Sequence, residues 1–176
     1  MTLAEKINNQ IRDIEDFPKP GIIFKDITPV LSHPKLVTEI VAWFVEKAKN
    51  DRIDVIVGVE SRGFLFGMMI AEKLGVPFVP VRKEGKLPYE TTKYSYDLEY
   101  GSATMEIHKD AIKAGQNVMI HDDLLATGGT ALAAAKLVKE LGGKVGNFSF
   151  LIELGFLEGK KKLAKENEAV YSIVTY

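Results

Sequence analysis

Short, mostly apolar runs recur along this chain and alternate with stretches of helical spacing. The runs fall at 55–59 (Val-Ile-Val-Gly-Val), 78–81, 118–122 and 145–151, the last closing the series. A strand that is apolar on both sides must be covered on both sides. Such runs alternating with helices predict an α/β fold, a mainly parallel sheet flanked by helices. Helices are expected over 64–74 and 130–141. Nearer the N-terminus, Leu3, Ile7, Ile11 and Ile14 predict a short helix across 3–14, ended by Pro18-Lys19-Pro20-Gly21. Leu36, Ile40, Phe44 and Ala48 predict another over 36–48, with Trp43 nearby. The polar stretch 82–100, with Gly85, Pro88 and several Lys and Thr, has no sustained periodicity and is too long for a tight connection. It is expected to be a mobile loop over a site.

With 176 residues, the chain has mass for one domain and a single three-layer core. A formal net charge of −1 gives no general attraction to nucleic acid or to an anionic membrane. The absence of cysteine excludes disulfides, thiol nucleophiles and Cys-ligated metals, and suits a reducing cytoplasm. No apolar run approaches the roughly 20 residues that span a bilayer, and the first residues lack a signal-peptide core. Lys160-Lys161-Lys162 is read as a solvated helix face.

The run from Val118 to Thr130, Val-Met-Ile-His-Asp-Asp-Leu-Leu-Ala-Thr-Gly-Gly-Thr, joins a strand, two acids and a Thr/Gly loop that opens a helix. Gly128 and Gly129 let a ligand approach the backbone of the loop Ala126 to Thr130, and helix-start N–H groups favour an anion. Thr127 and Thr130 add hydroxyls. Asp122 and Asp123 at the strand's end suit the vicinal hydroxyls of a ribose, so the segment reads as a seat for a ribose carrying a 5-phosphate. Neither the Walker A ending nor G-x-G-x-x-G occurs there. Glu60-Ser61-Arg62-Gly63 makes a second strand-to-helix loop that would take another phosphate group, with Ser61 a candidate helix cap. Arg82, Lys83 and Lys86 supply the density of cations that a pyrophosphate needs. His121 reads as a hydrogen-bonded, partly buried histidine, without metal-ligand spacing to His33 or His108.

These motifs resemble, in order and across residues 17–153, the type I phosphoribosyltransferases, whose binding loop for phosphoribosyl pyrophosphate (PRPP) matches the Asp-Asp-Leu-Leu-Ala-Thr-Gly-Gly-Thr run. The resemblance implies that family's fold with a small N-terminal hood, about 1–34, over the carboxyl edge of the sheet. It implies that the 60–63 loop holds the leaving pyrophosphate and that Glu60-Ser61 is a cis peptide. It points to Glu99, with Tyr100 beside it, as the acid of the closing loop, serving either the oxocarbenium charge or an adenine proton. The segment 17–29 resembles the adenine-specific branch. By that likeness the backbone around Ile23 and Lys25 reads the base edge, while Phe24 and Leu124 stack on its two faces; Lys25 stands where some relatives have Arg. The implied reaction is adenine plus PRPP to AMP and pyrophosphate, in a cytoplasmic homodimer. Mg2+ would be held through PRPP rather than by a protein metal site. The alternatives are another purine base, or a silent PRPP-sensing regulator, which would need a DNA-binding element or basic face that the first fifty residues lack.

Overall fold

The computed structural model describes residues 1–97 and 101–176. Residues 1–43 form one unit and residues 44–176 another. The first begins with α1 (Leu3–Asn8). There the Thr2 hydroxyl accepts from the Glu5 N–H and the Glu5 carboxylate accepts from the Thr2 N–H. The helix stops short of the expected 3–14. Only Ile7 of the four spaced apolar residues is fully buried, and Ile14 lies on β1 (Arg12–Ile14), opposite Phe24 of β2 (Phe24–Asp26). Isolated helices of this length are marginal in water, so pairing across strands decides the outcome. After α2 (Thr28–Leu31), α3 (Pro34–Asn50) covers the expected 36–48 and buries Leu36, Ile40, Phe44 and Ala48.

The second unit continues through β3 (Val55–Val59), α4 (Gly63–Leu74), β4 (Phe78–Lys83), β5 (Thr91–Asp97) and β6 (Ser102–His108). It ends with β7 (Asn117–Leu125), α5 (Gly129–Glu140), β8 (Lys144–Glu153), α6 (Gly159–Leu163) and β9 (Val170–Thr175). The strands make one sheet in the order β5-β6-β4-β3-β7-β8-β9. β4, β3, β7, β8 and β9 run parallel, and β6 is antiparallel to both β4 and β5. Alternation sorts the side chains. Val55, Val57, Val59, Val118 and Ile120 share a buried cluster with Ala131, Ala134 and Leu137 of α5. Residues between them turn to the other face, where the His121 ring meets Phe66 of α4.

The sheet departs from the sequence reading at its margins. The stretch expected to be irregular contains the end of β4 and all of β5, in which Thr91 to Asp97 pair with His108 to Ser102. Its polar side faces outward while Tyr94 and Tyr96 pack on the core cluster, so its period of two was hidden by tyrosines and threonines. β6 was not expected, and β9 rather than β8 closes the series. β7 runs past 122, so both acids lie within the strand. Lys160, Lys161 and Lys162 are exposed on α6.

His121 is wholly rather than partly buried, its Nδ1 2.9 Å from the Ser149 hydroxyl and its ring in a T-shaped contact with Phe44. Burial pulls its pKa down from 6.5 to about 3, against the opposing pull of Ser149. The folded chain therefore carries a neutral imidazole where the unfolded chain takes up a proton, and stability falls as pH drops from 6.5 towards 3. The loss approaches about 1.4 kcal/mol per pH unit. Urea denaturation of His121→Val should start from a lower stability at pH 7 but lose about 2–3 kcal/mol less than the parent on going to pH 4.5. Equal acid losses in the two chains would contradict this account.

Candidate active site

β3 and β7 are neighbours in the parallel sheet, with Val57 opposite Ile120 and Gly58 opposite His121, so they end at the same edge. Each leads into the N-terminus of a helix, β3 through residues 60–62 into α4 and β7 through residues 126–128 into α5. The residues flanking these helices are Arg62 and Gly128, and among the described residues no side chain caps either one; the candidate cap Ser61 is not the flanking residue. The first-turn N–H groups of both helices thus point toward the site edge, where an anion would be favoured. The Glu60-Ser61 peptide is cis.

Asp122, Ala126, Thr127, Gly128, Gly129 and Thr130 come together around a small cavity of about 80 Å³. Gly128 has φ +79°, and a Cβ there would stand 3.1 Å from the Gly159 carbonyl oxygen, so α6 backs the loop closely. Tyr96 of β5 reaches the same loop. Its hydroxyl is 2.9 Å from the Thr130 hydroxyl, and its ring would lie 3.2 Å from a Cβ on Gly129. Sequence reasoning missed both Gly159 and Tyr96. For Tyr96 the signal was the period-two pattern of a strand taken for a loop.

A second cavity, of about 280 Å³, is lined by Glu60, Ser61, Arg62, Asp122, Asp123 and Leu124. The Arg62 Nε donates to Asp123 at 2.5 Å, and the Asp123 N–H donates to the Asp122 carboxylate at 2.8 Å. Burial, then the charge of Asp123, push the Asp122 carboxyl well above the usual carboxylate range. Asp122 is a hydrogen-bonding group whose ionisation depends on what cation or donor sits beside it. This closeness rests on Gly63, where a Cβ would lie 2.7 Å from the His121 carbonyl oxygen and 3.0 Å from the Asp122 Cα.

The cations of Arg82 and Lys86 converge on an acid, which Lys83 meets through its backbone. Glu60 accepts from the Arg82 guanidinium at 3.3 Å, from the Lys83 N–H at 2.9 Å and from the Lys86 ammonium. Burial acts to raise its pKa, but Lys86, Lys83 and Arg82 together bring it down to about 2. Glu60 was expected to belong to the anion loop; its role as counter-ion of that cation cluster was not legible from spacing. Glu99 and Tyr100 lie outside the described residues. In the first unit, Ile23 is exposed, Phe24 meets the ring of Phe17 edge-on at 5.2 Å, and the Lys25 ammonium pairs with Asp13 at 2.7 Å. Leu124 lines the larger cavity of the second unit.

The model of the phosphoribosyl transferase domain matches residues 26–174. An adenine phosphoribosyltransferase of Clostridium botulinum (strain Loch Maree) is 56% identical over 97% of this chain and 98% of its own. The chain belongs to the adenine phosphoribosyltransferase family. The crystal structure of the adenine phosphoribosyltransferase from Thermoanaerobacter pseudethanolicus is 52% identical, covers 99% of this chain and 100% of that one, and superposes with a TM-score of 0.94. That of the Saccharomyces cerevisiae enzyme, complexed with an imino-altritol bisphosphate and adenine, is 44% identical over 97% of this chain and 98% of that one, with a TM-score of 0.91. For this family member, Gly63→Ala would drive α4 away from β7 and separate the two cavities' walls. Calorimetric titration with Mg2+ and pyrophosphate should give binding weakened about tenfold or more, with the cooperative unfolding transition kept. Unchanged affinity would show that the close approach is dispensable.

Proposed function

We propose that this chain transfers the 5-phosphoribosyl group of PRPP to adenine, releasing AMP and pyrophosphate. The observation that carries the reading is the pair of helix-opening loops, 60–63 and 126–130, on either side of Asp122 and Asp123 at one edge of the sheet. The 126–130 loop would take the 5-phosphate, the two acids would accept the ribose hydroxyls, and the 60–63 loop would take the pyrophosphate. Adenine N9 attacks the anomeric carbon with inversion as the bond to the pyrophosphate oxygen breaks, and the N9 proton is lost. The yeast relative's complex with adenine supports the choice of base.

Charge decides how the pyrophosphate is held. Among the described residues the larger cavity presents Glu60, Asp122 and Asp123 against one cation, Arg62, a lining that fits a polyanion only with a divalent cation between them. Mg2+ bound to PRPP would supply that charge, with Asp122 and Asp123 the residues beside it. Arg82, Lys83 and Lys86 would then exchange Glu60 for pyrophosphate oxygens, stabilising charge on the leaving group. In this reading Phe24 and Leu124 would each stack on the base, and the backbone at Ile23 and Lys25 would read its edge; that the Lys25 ammonium is engaged with Asp13 agrees with a backbone role. Glu99, with Tyr100, would act from the 82–100 segment on the oxocarbenium charge or the adenine proton. The chain would work in the cytoplasm as a homodimer. The cysteine-free composition supports the compartment, and the exposed Leu65, Met68 and Met69 on α4 support a partner subunit.

Nucleotide formation from Mg-PRPP should occur with adenine and not with hypoxanthine, guanine, xanthine or orotate. Turnover of another base would overturn the specificity reading, and PRPP binding without any turnover would favour a regulator. Glu99→Gln should lower kcat by about 10²-fold or more while leaving PRPP binding nearly intact.

A further inference from the structure

Glu106 is a buried acid that the reaction above does not use. It lies on β6 opposite both Arg82 of β4 and Lys93 of β5, on the face away from the core residues Met105 and Ile107. One of its carboxylate oxygens accepts two consecutive backbone N–H groups, those of Lys86 and Leu87, each at 3.0 Å. The other accepts the Thr91 hydroxyl at 3.2 Å. Burial works to raise its pKa, yet these donors and the nearby Lys93 hold it below the usual carboxylate range. The charge is therefore kept and bound to the turn between β4 and β5 rather than to solvent.

Lys86 is tied on every side. Its N–H goes to Glu106, its carbonyl accepts from the Arg82 guanidinium at 3.1 Å, and its ammonium reaches Glu60. A long, exposed lysine would otherwise spread over many rotamers and backbone positions, which lowers its value to any single ligand. The turn cannot pivot without leaving a buried carboxylate short of two donors. Glu60 meets the Lys86 side chain and Glu106 meets its backbone, so two acids fix one cation from opposite ends.

We infer that Glu106 is a positioning residue for the pyrophosphate group: by fixing the backbone at Lys86 and Leu87 it holds the Lys86 ammonium beside the 60–63 loop. The assignment rests on the function proposed above. It concerns pyrophosphate, because among the described residues the small cavity at 126–130 is lined by neither Glu60 nor Lys86.

The test is calorimetric titration with pyrophosphate plus Mg2+, and separately with AMP, on the parent chain, Glu106→Ala, Glu106→Gln, Lys86→Ala and the Glu106→Ala/Lys86→Ala pair. Glu106→Ala should weaken pyrophosphate binding about tenfold, Glu106→Gln no more than about threefold, and neither should change AMP affinity by more than about twofold. In the Lys86→Ala background, removing Glu106 should add less than about twofold, since the group it positions is gone. Additive losses, or a parallel loss of AMP affinity, would reduce Glu106 to a general structural role and overturn the assignment. If Glu106→Ala fails to fold, Glu106→Gln with and without Lys86 carries the same comparison at the smaller amplitude. A parent chain that binds no pyrophosphate would overturn the proposed function itself, and this assignment with it.

Discussion

The backbone ladder between β3 and β7 holds the site together. Because the two strands are parallel and in register from Val55 opposite Val118 to Gly58 opposite His121, their carboxyl ends reach one edge together and both helices start there. That register is set by packing on two faces at once, the valines of β3 with α5 on one side and His121 against Phe44 and Phe66 on the other. A slip by one residue would exchange the faces, turning His121 into the α5 layer and Asp123 away from Arg62. The apolar core and the polar site are thus fixed by the same hydrogen bonds.

Given that frame, Gly63 sets how near the two loops come. Its missing Cβ lets the first turn of α4 lie directly on the β7 backbone at His121 and Asp122, and Arg62, one residue earlier, reaches Asp123. Gly128 and Gly159 do the same behind the Thr/Gly loop. Small residues at these crossings replace side-chain spacers with backbone contact, and this is how N–H donors from separate helices come to line adjoining cavities.

Electrostatics in the site are arranged as internal pairs. Arg62 is engaged by Asp123, while Arg82 and Lys86 are engaged by Glu60, whose carboxyl is held near 2 by those partners. Acids and cations left apart in a partly enclosed cleft would be costly, and pairing them keeps each within reach of a ligand that can take the partner's place. Asp122 is pushed toward protonation by burial and by Asp123, more than the charge of Arg62 offsets, which makes it responsive to an arriving cation or hydroxyl.

The sequence by itself determined the elements whose signal is local. The apolar runs of β3, β4, β7 and β8 announce strands, with β3 buried on both faces, the helices α3, α4 and α5 follow from spacing, and the glycines and acids of 118–130 are contiguous in the chain. Contiguity is what made that loop legible. Elements stabilised by distant partners were not legible. β5 reads as a loop until β6 supplies its hydrogen bonds and the core cluster receives Tyr94 and Tyr96, and Ile14 reads as helical until Phe24 stands opposite it. The tertiary structure alone decided that Glu60 would hold Arg82 and Lys86, that Glu106 would bind the turn from 20 residues away, and that Tyr96 would touch Thr130. The physical reason is the same in each case. A hydrogen bond or ion pair between residues far apart in the chain leaves no periodicity in either segment, so it exists only once the sheet order has brought them side by side.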